Sequence, residues 1–596
     1  MKQFLLTVAG VFVGLVLFMV VVPLALIGLA ISSAQPAPIT GRAVLTLDLR
    51  NGLTDQAPQS GLAIFGSGNL SVMGIEDGLR RAASDSHVGG VFVRLPDGGM
   101  APAAADELRL AFQAFRASGK PILAYSQGIY PEGVATATYE LGAASGDFWM
   151  QPSSSFQAVG LAQEDVFFKN FFDRYGIVAD YQQRYQYKNA VNGYLYSDYT
   201  AAHREAELSW MGSVFDTGVA MAAADRKMDP ATLKTILEAG PYSAEDARAK
   251  GLVDRVGELR DAENTILRAA GSGAKLTDFA DYASRARAGR SSSGGGPAIA
   301  LIQAEGDIVT GTGGHQSPLA GGQNIYSDDL AQAFYDAAQD KDVKAIVFRV
   351  SSPGGSDTAS EEILSAMLAA KAAGKPVVVS MGDYAASGGY WISSQASEIV
   401  AEPSTLTGSI GVFGGKFAVG PALAKFGVDI HGLSVGGDYA SAFGAGNAMT
   451  PSQRAAFGLW LDRIYQGFVA RVAQGRHLPL ARVEEIAKGR VWTGVQAKQL
   501  GLVDDLGGYA LALERAKALA GLHGKVRVKA ISGRPSPFAA ILRMFGGDAD
   551  SARLMLAASE LSRNPEARQL IESLRQARLR EEGATVLAPI MPFGDQ

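Results

Sequence analysis

Residues 381–413, MGDYAASGGYWISSQASEIVAEPSTLTGSIGVF, gather side chains suited to acyl transfer. Ser387 stands in Ala-Ala-Ser-Gly-Gly, where a strand is expected to turn into a helix. Small neighbours can expose its Oγ, and the next N–H, that of Gly388, can face a developing oxyanion. The positive end of a helix favours that charge. A serine hydroxyl is a poor nucleophile at neutral pH and needs a base. A lysine can be that base only when neutral, and at its ordinary pKa of about 10.4 roughly one in a thousand is neutral at pH 7.5. Burial lowers that pKa by several units. Lys188 has Tyr185, Tyr187, Val191, Tyr194 and Leu195 near it in sequence, a composition suited to a dry pocket. A second oxyanion donor could come from Gly354 in Ser352-Pro-Gly-Gly-Ser356, whose glycines admit a close carbonyl. No Gly-Lys-Ser/Thr closes that turn, so it is not a phosphate loop. Each signal alone also fits a packed turn or a lysine without chemistry.

An internal repeat connects them. Val91-Phe-Val-Arg-Leu95 parallels Ile346-Val-Phe-Arg-Val350, and Ala117-Ser-Gly-Lys-Pro121 parallels Ala372-Ala-Gly-Lys-Pro376. Arg174-Tyr-Gly-Ile parallels Lys425-Phe-Gly-Val, and Gly251-Leu-Val-Asp254 parallels Gly501-Leu-Val-Asp504. The spacing stays near about 250 residues, which chance matches would not keep. In register, Thr136 stands opposite Ser387 and lacks its glycines, while Ala440 stands opposite Lys188. One copy keeps the lysine and the other the serine. Complementary losses of this kind imply a site at the junction of the copies.

Short β-branched runs alternate with helical stretches in both halves, which predicts α/β layers with mostly parallel strands. Strands are expected at 345–350, 376–380 and 407–412. Thr450-Pro-Ser-Gln453 predicts a capped helix running to about Val472. The expected divisions are an anchor at 1–35, a first repeat at 43–285, a Ser/Gly-rich linker at 286–297, a second repeat at 298–525 and a tail at 526–596. Residues 4–31 carry no charge and exceed the roughly 20 residues that span a bilayer, so they are expected to be an uncleaved transmembrane helix. In the tail, Ala567, Leu570, Ile571 and Leu574 predict one apolar helix face.

Composition removes other classes. With no cysteine, thiolate catalysis, disulfides and cysteine zinc sites are excluded. None of the six histidines lies in a His-x-x-His or His-Glu-x-x-His arrangement. A net charge of −5 argues against a general nucleic-acid binder.

Four motifs occur together: Ser-Pro-Gly-Gly-Ser (352–356), Gly-Asp-Tyr-Ala-Ala-Ser-Gly-Gly-Tyr (382–390), Ser-Thr-Leu-Thr-Gly-Ser-Ile-Gly (404–411) and Tyr-Lys-Asn-Ala (187–190). Over about residues 1 to 525 the chain resembles the long form of the signal peptide peptidase A (protease IV) family. These are membrane-bound serine peptidases of the ClpP/crotonase-like superfamily. The resemblance implies tandem ClpP/crotonase-like repeats, Ser387 as nucleophile, Lys188 as general base and Ser409 as the residue that orients the lysine. It implies cleaved signal peptides and other apolar peptides as substrates, and a homo-oligomer whose catalytic repeats lie outside the bacterial inner membrane. No cofactor or metal is called for. The family motif has a small residue where this chain has Tyr384, which would narrow the substrate cleft. Two other readings stay open on the residues alone: a crotonase-like acyl-CoA enzyme, and a non-catalytic membrane scaffold derived from a peptidase.

Overall fold

The computed structural model describes residues 41–56, 70–288, 296–313, 324–533 and 586–587. The apolar stretch 4–31, most of the linker and the stretch 566–580 lie outside the described residues. Among the described residues, no helix is long and apolar enough to cross a membrane.

Each half builds a sheet whose inner strands, such as Val88–Arg94 and Val343–Ser352, are buried on both faces, as continuous apolar runs require. The first sheet is ordered Arg255–Val256, Phe148–Met150, Ile122–Ser126, Val88–Arg94, Ala43–Asp48, Lys275–Asp278, all parallel. The second is ordered Val491–Thr493, Leu406–Gly408, Val377–Ala386, Val343–Ser352, Ala298–Glu305, Arg527–Ala530. Its pairs are parallel except Leu406–Gly408 with Val491–Thr493. Glu398–Ala401 also joins Val377–Ala386. This sheet continues past residue 525, because Arg527–Ala530 pairs with Ala298 to Leu301 just as Lys275–Asp278 pairs with Ala43 to Thr46. Helices cover the sheets, and each half has its own large apolar core.

Two strands of the second half are longer than expected. Val343–Ser352 runs on into the Ser-Pro-Gly-Gly turn, and Val377–Ala386 runs to the residue before Ser387. The extra length carries both motifs to the same sheet end. The expected strand at 407–412 is broken in two, Leu406–Gly408 and Val412–Ala418. Between them Ser409 has φ 47°, a conformation that ends β pairing.

The halves are joined by a strand that leaves the first and enters the second. Val178–Arg184 pairs antiparallel with Val412–Ala418, from Arg184 opposite Val412 to Val178 opposite Ala418. Gly415 permits this, since a Cβ there would lie 2.2 Å from the Asp180 carbonyl oxygen. The pairing does not join equivalent segments. The repeat mate of Val412–Ala418, near residues 161–167, forms no strand, nor does the mate of Val178–Arg184 near 428–435. Side chains clamp the strand in place. Asp180 is buried, pairs with Arg454 and accepts the Met449 N–H at 2.6 Å. Arg184 pairs with Asp462 and donates to the Gly458 carbonyl at 3.0 Å. Arg454, Gly458 and Asp462 lie on helix Pro451–Arg476, which opens with the expected Thr450/Gln453 capping box and ends four residues beyond the expected Val472.

A buried charge cluster makes a second joint. Arg349, 1 % exposed, donates from Nε to Asp55 at 2.9 Å and from Nη2 to Glu107 at 2.6 Å. Its Nη1 also reaches Ser380 Oγ at 2.8 Å. Asp55 and Glu107 belong to the first half, whereas Arg349 lies on the strand that feeds the Ser-Pro-Gly-Gly turn. Buried charges require such pairing, because a lone one is costly to desolvate.

Candidate active site

Ser387 links strand Val377–Ala386 to helix Gly388–Ser393. Its φ of 55° is unusual for a residue with a side chain. Its N–H is held by the Gly408 carbonyl at 2.8 Å. The two following glycines are required by crowding. A Cβ on Gly389 would lie 2.5 Å from the Ser352 carbonyl oxygen. One on Gly388 would lie 2.9 Å from Ser360 Oγ and 3.1 Å from both Gly354 Cα and Gly355 N. The Ser387 turn and the Ser-Pro-Gly-Gly turn are therefore in contact.

Lys188 follows the crossing strand Val178–Arg184 closely, and that strand brings it to Ser387. Its Nζ lies 2.8 Å from Ser387 Oγ. It also lies 3.1 Å from the Ser409 carbonyl oxygen and 3.0 Å from Ser409 Oγ. A neutral amine has two N–H donors and one lone pair. Donation to the two Ser409 oxygens leaves the lone pair facing the Ser387 hydroxyl. Lys188, Ser387 and Ser409 are each fully buried. Burial alone holds the Lys188 amine well below the ordinary lysine range. The surroundings differ from the sequence expectation, however. Val191 is buried, but Tyr185 is largely exposed and packs edge-on to Tyr465.

Gly388 is the first residue of its helix, where N–H groups have no partner within the helix. Gly354 has φ 117°, and its N–H points to Ser352 Oγ at 3.2 Å. That contact must yield before the N–H can serve an oxyanion. Tyr384 packs against the apolar cluster of Val134, Ala137, Trp210, Val214, Leu406 and Val491 between the halves. Among the described residues, no group of His, Asp or Glu is placed to hold a metal ion.

Comparison with known proteins follows the same outline. The chain is 32% identical over 521 residues to Protease 4 of Salmonella typhi, covering 83% of this chain and 81% of that protein. It is 29% identical over 537 residues to Protease 4 of Haemophilus influenzae, covering 85% and 83%. The chloroplastic serine protease SPPA of Arabidopsis thaliana is 30% identical over 504 residues, covering 83% and 72%. The family described as Peptidase family S49 matches residues 114–272 and 369–523, once in each half. The chain belongs to peptidase family S49. It is a serine endopeptidase of mixed α/β structure.

In this S49 peptidase the sequence reading missed the turn that closes over the lysine. A Cβ on Gly489 would lie 2.5 Å from Lys188 Cβ, so only glycine fits there. The Lys488 carbonyl accepts the Tyr187 N–H at 3.2 Å. Gly489 N–H bonds the Ile410 carbonyl at 2.8 Å, and the Arg490 carbonyl accepts the Ser409 N–H at 2.7 Å. One short turn thus binds the lysine segment and the Ser409 segment together. Its Lys-Gly-Arg sequence carries no chemistry of its own, so nothing short of the fold singles it out.

Proposed function

We propose that this S49 peptidase cuts peptides with a Ser387–Lys188 dyad. Neutral Lys188 takes the Ser387 proton as Oγ attacks the peptide carbonyl. The N–H groups of Gly354 and Gly388 receive the oxyanion, each such donor being worth about 2.7–4 kcal/mol. Protonated Lys188 then hands its proton to the leaving amine. Water, deprotonated by the same amine, hydrolyses the acyl-enzyme and frees Ser387. Ser409 holds the amine in line through both of its oxygens.

The observation that carries this reading is the 2.8 Å contact of Nζ with Oγ in a fully buried site. Apolar peptides, above all signal peptides already released from their proteins, are the proposed substrates. A protein named "Putative signal peptide peptidase SppA", from Enterococcus faecium, is 34% identical over 179 residues and supports that choice. Residues 4–31 would anchor the chain in the bacterial inner membrane, with both repeats on the outer side, next to such peptides. Tandem ClpP/crotonase-like repeats and a homo-oligomer belong to the same reading. Exposed Phe426, Leu433 and Val435 are apolar surface that a second copy would cover, and sedimentation as a monomer would remove that part. Serine endopeptidase membership stands against both the acyl-CoA reading and the scaffold reading.

The test is cleavage of an apolar signal-sequence peptide by the full chain. Ser387→Ala is expected to lose on the order of 10⁴-fold or more in kcat, and Lys188→Ala roughly 10²–10⁴-fold, with unchanged folding. Full activity in Lys188→Ala would take away its role as base.

A further inference from the structure

The turn that closes over Lys188 carries no reacting group, but its arginine side chain spans both sides of the site. The Arg490 guanidinium lies 5.0 Å from the centre of the Tyr187 ring and 4.3 Å from the Trp492 ring. Both distances are within cation–π range, and a flat guanidinium is the cation suited to aromatic faces. Each ring leads to one partner of the candidate dyad. Tyr187 immediately precedes Lys188, and the N–H groups of Tyr185 and Tyr187 both bond the Lys488 carbonyl, at 3.3 and 3.2 Å. Trp492 lies on the strand paired with Leu406–Gly408, and its Cδ1 would be 2.9 Å from a Cβ on Gly408. The Gly408 carbonyl in turn holds the Ser387 N–H. One guanidinium thus braces the lysine segment against the Ser387 turn.

The guanidinium is itself held in place. Its Nη1 and Nη2 each donate to one oxygen of Glu205, both at 2.7 Å. A two-pronged pair of this kind sets the plane of the guanidinium as well as its position. Glu205 stands on helix Ala201–Arg226 of the first half, whereas Arg490 and Trp492 belong to the second. The Arg490 side chain is 14 % exposed and that of Glu205 is 51 % exposed. A pair this open to water adds little stability, so stability is a poor account of it.

We propose that Arg490 is a positioning residue for the Ser387–Lys188 pair, held in plane by Glu205 and acting through Tyr187 on the base and through Trp492 and Gly408 on the serine. This rests on the peptidase reading of Ser387 and Lys188, but the bracing itself needs no catalysis. Its effect on the base has a definite sign. Burial alone keeps the Lys188 amine low. A loosened brace admits water, which favours the ammonium and moves the amine back up towards the ordinary lysine range.

The experiment compares the full-length chain with Arg490→Lys, which keeps the charge but loses the fork and the flat face, and with Glu205→Ala at an exposed position. Titration with a fluorophosphonate counts the folded sites. For an apolar reporter peptide, kcat per titrated site should fall about tenfold in Arg490→Lys and about threefold in Glu205→Ala, with KM changed less than about twofold. The inflection of kcat/KM against pH should move upward in both. A second arm needs no cleavage. In a Ser387→Ala background at pH 10, acetic anhydride should acetylate Lys188 about fivefold faster or more in Arg490→Met than with the native arginine, read by mass spectrometry. Half-buried Lys120 and Lys371 should react alike in both proteins. Native kcat per site in either variant overturns the proposal, as does a lower kcat with an unmoved inflection. Equal acetylation of Lys188 overturns it whether or not the protein cleaves anything, and so does faster acetylation of all three lysines, which would mean general loosening. Faster acetylation of Lys188 alone, with no cleavage by the native chain, would sink the peptidase reading and leave the brace standing.

Discussion

Lys188 Nζ and Ser387 Oγ are 2.8 Å apart in space and 199 residues apart in the chain. The contact depends on an amine that burial keeps well below its ordinary pKa. Only the neutral form can accept the serine proton. As pH rises through the Lys188 pKa, kcat/KM should increase and then level off, with its inflection well below the ordinary lysine value of 10.5. The same shift links to stability. Because the folded pKa is lowered, the unfolded chain binds more protons between the two values, and stability falls as pH drops from 10.5 towards the folded pKa. In Lys188→Met that dependence disappears. The melting temperature of Lys188→Met relative to the native chain should therefore climb in scanning calorimetry as the pH is lowered from 10 towards the folded pKa. A constant difference over that range would mean that Lys188 is charged in the fold.

Ser409 can be divided into its parts. Its hydroxyl and its carbonyl both hold Lys188, and its φ of 47° strains any residue but glycine. Ser409→Ala and Ser409→Gly lose the hydroxyl and keep the carbonyl. Both should lower kcat by about tenfold, roughly 1.4 kcal/mol, with little change in KM. The glycine variant should be the more stable by about 1 kcal/mol in urea unfolding, because it sheds the strain. Unequal kcat values would assign the loss to backbone distortion instead of the missing hydroxyl.

Arg349 offers a test of the joint between the halves. Arg349→Met leaves Asp55 and Glu107 buried without their cation, which costs about 3–5 kcal/mol. Adding Asp55→Asn and Glu107→Gln removes the stranded charges and should recover most of the loss, as read by urea denaturation. A single variant as stable as the native chain would show that the joint does not depend on the arginine.

Much of this architecture was legible because duplication writes the same message twice. Buried strands such as Val343–Ser352 show as unbroken apolar runs, and the capping box at Thr450 and Gln453 marks a helix start by local chemistry alone. The pairing of Lys188 with Ser387 could be approached because the two copies had lost different residues. The means of pairing was not legible. Val178–Arg184 carries the sequence VADYQQR, which has no strong strand pattern, and it is a strand because Val412–Ala418 and helix Pro451–Arg476 receive it. The break at Ser409 was hidden for a similar reason. Thr-Gly-Ser-Ile-Gly-Val reads as a continuous strand, and it is partners distant in the chain, the Arg490 carbonyl and the Lys188 amine among them, that hold the middle residue out of line. Gly489 escaped notice because its role is to be absent of side chain beside a lysine that is distant in the chain.

The strand that crosses from one copy to the other has a genetic consequence. An ancestral doubling could have yielded two independent enzymes on one chain, free to specialise. On the proposed reading of Ser387 and Lys188, the base is mounted on one copy and seated in the other, which makes a single centre that neither copy owns. Loss of either half would then leave the remaining one inert, so selection would retain both repeats to keep one hydroxyl at work.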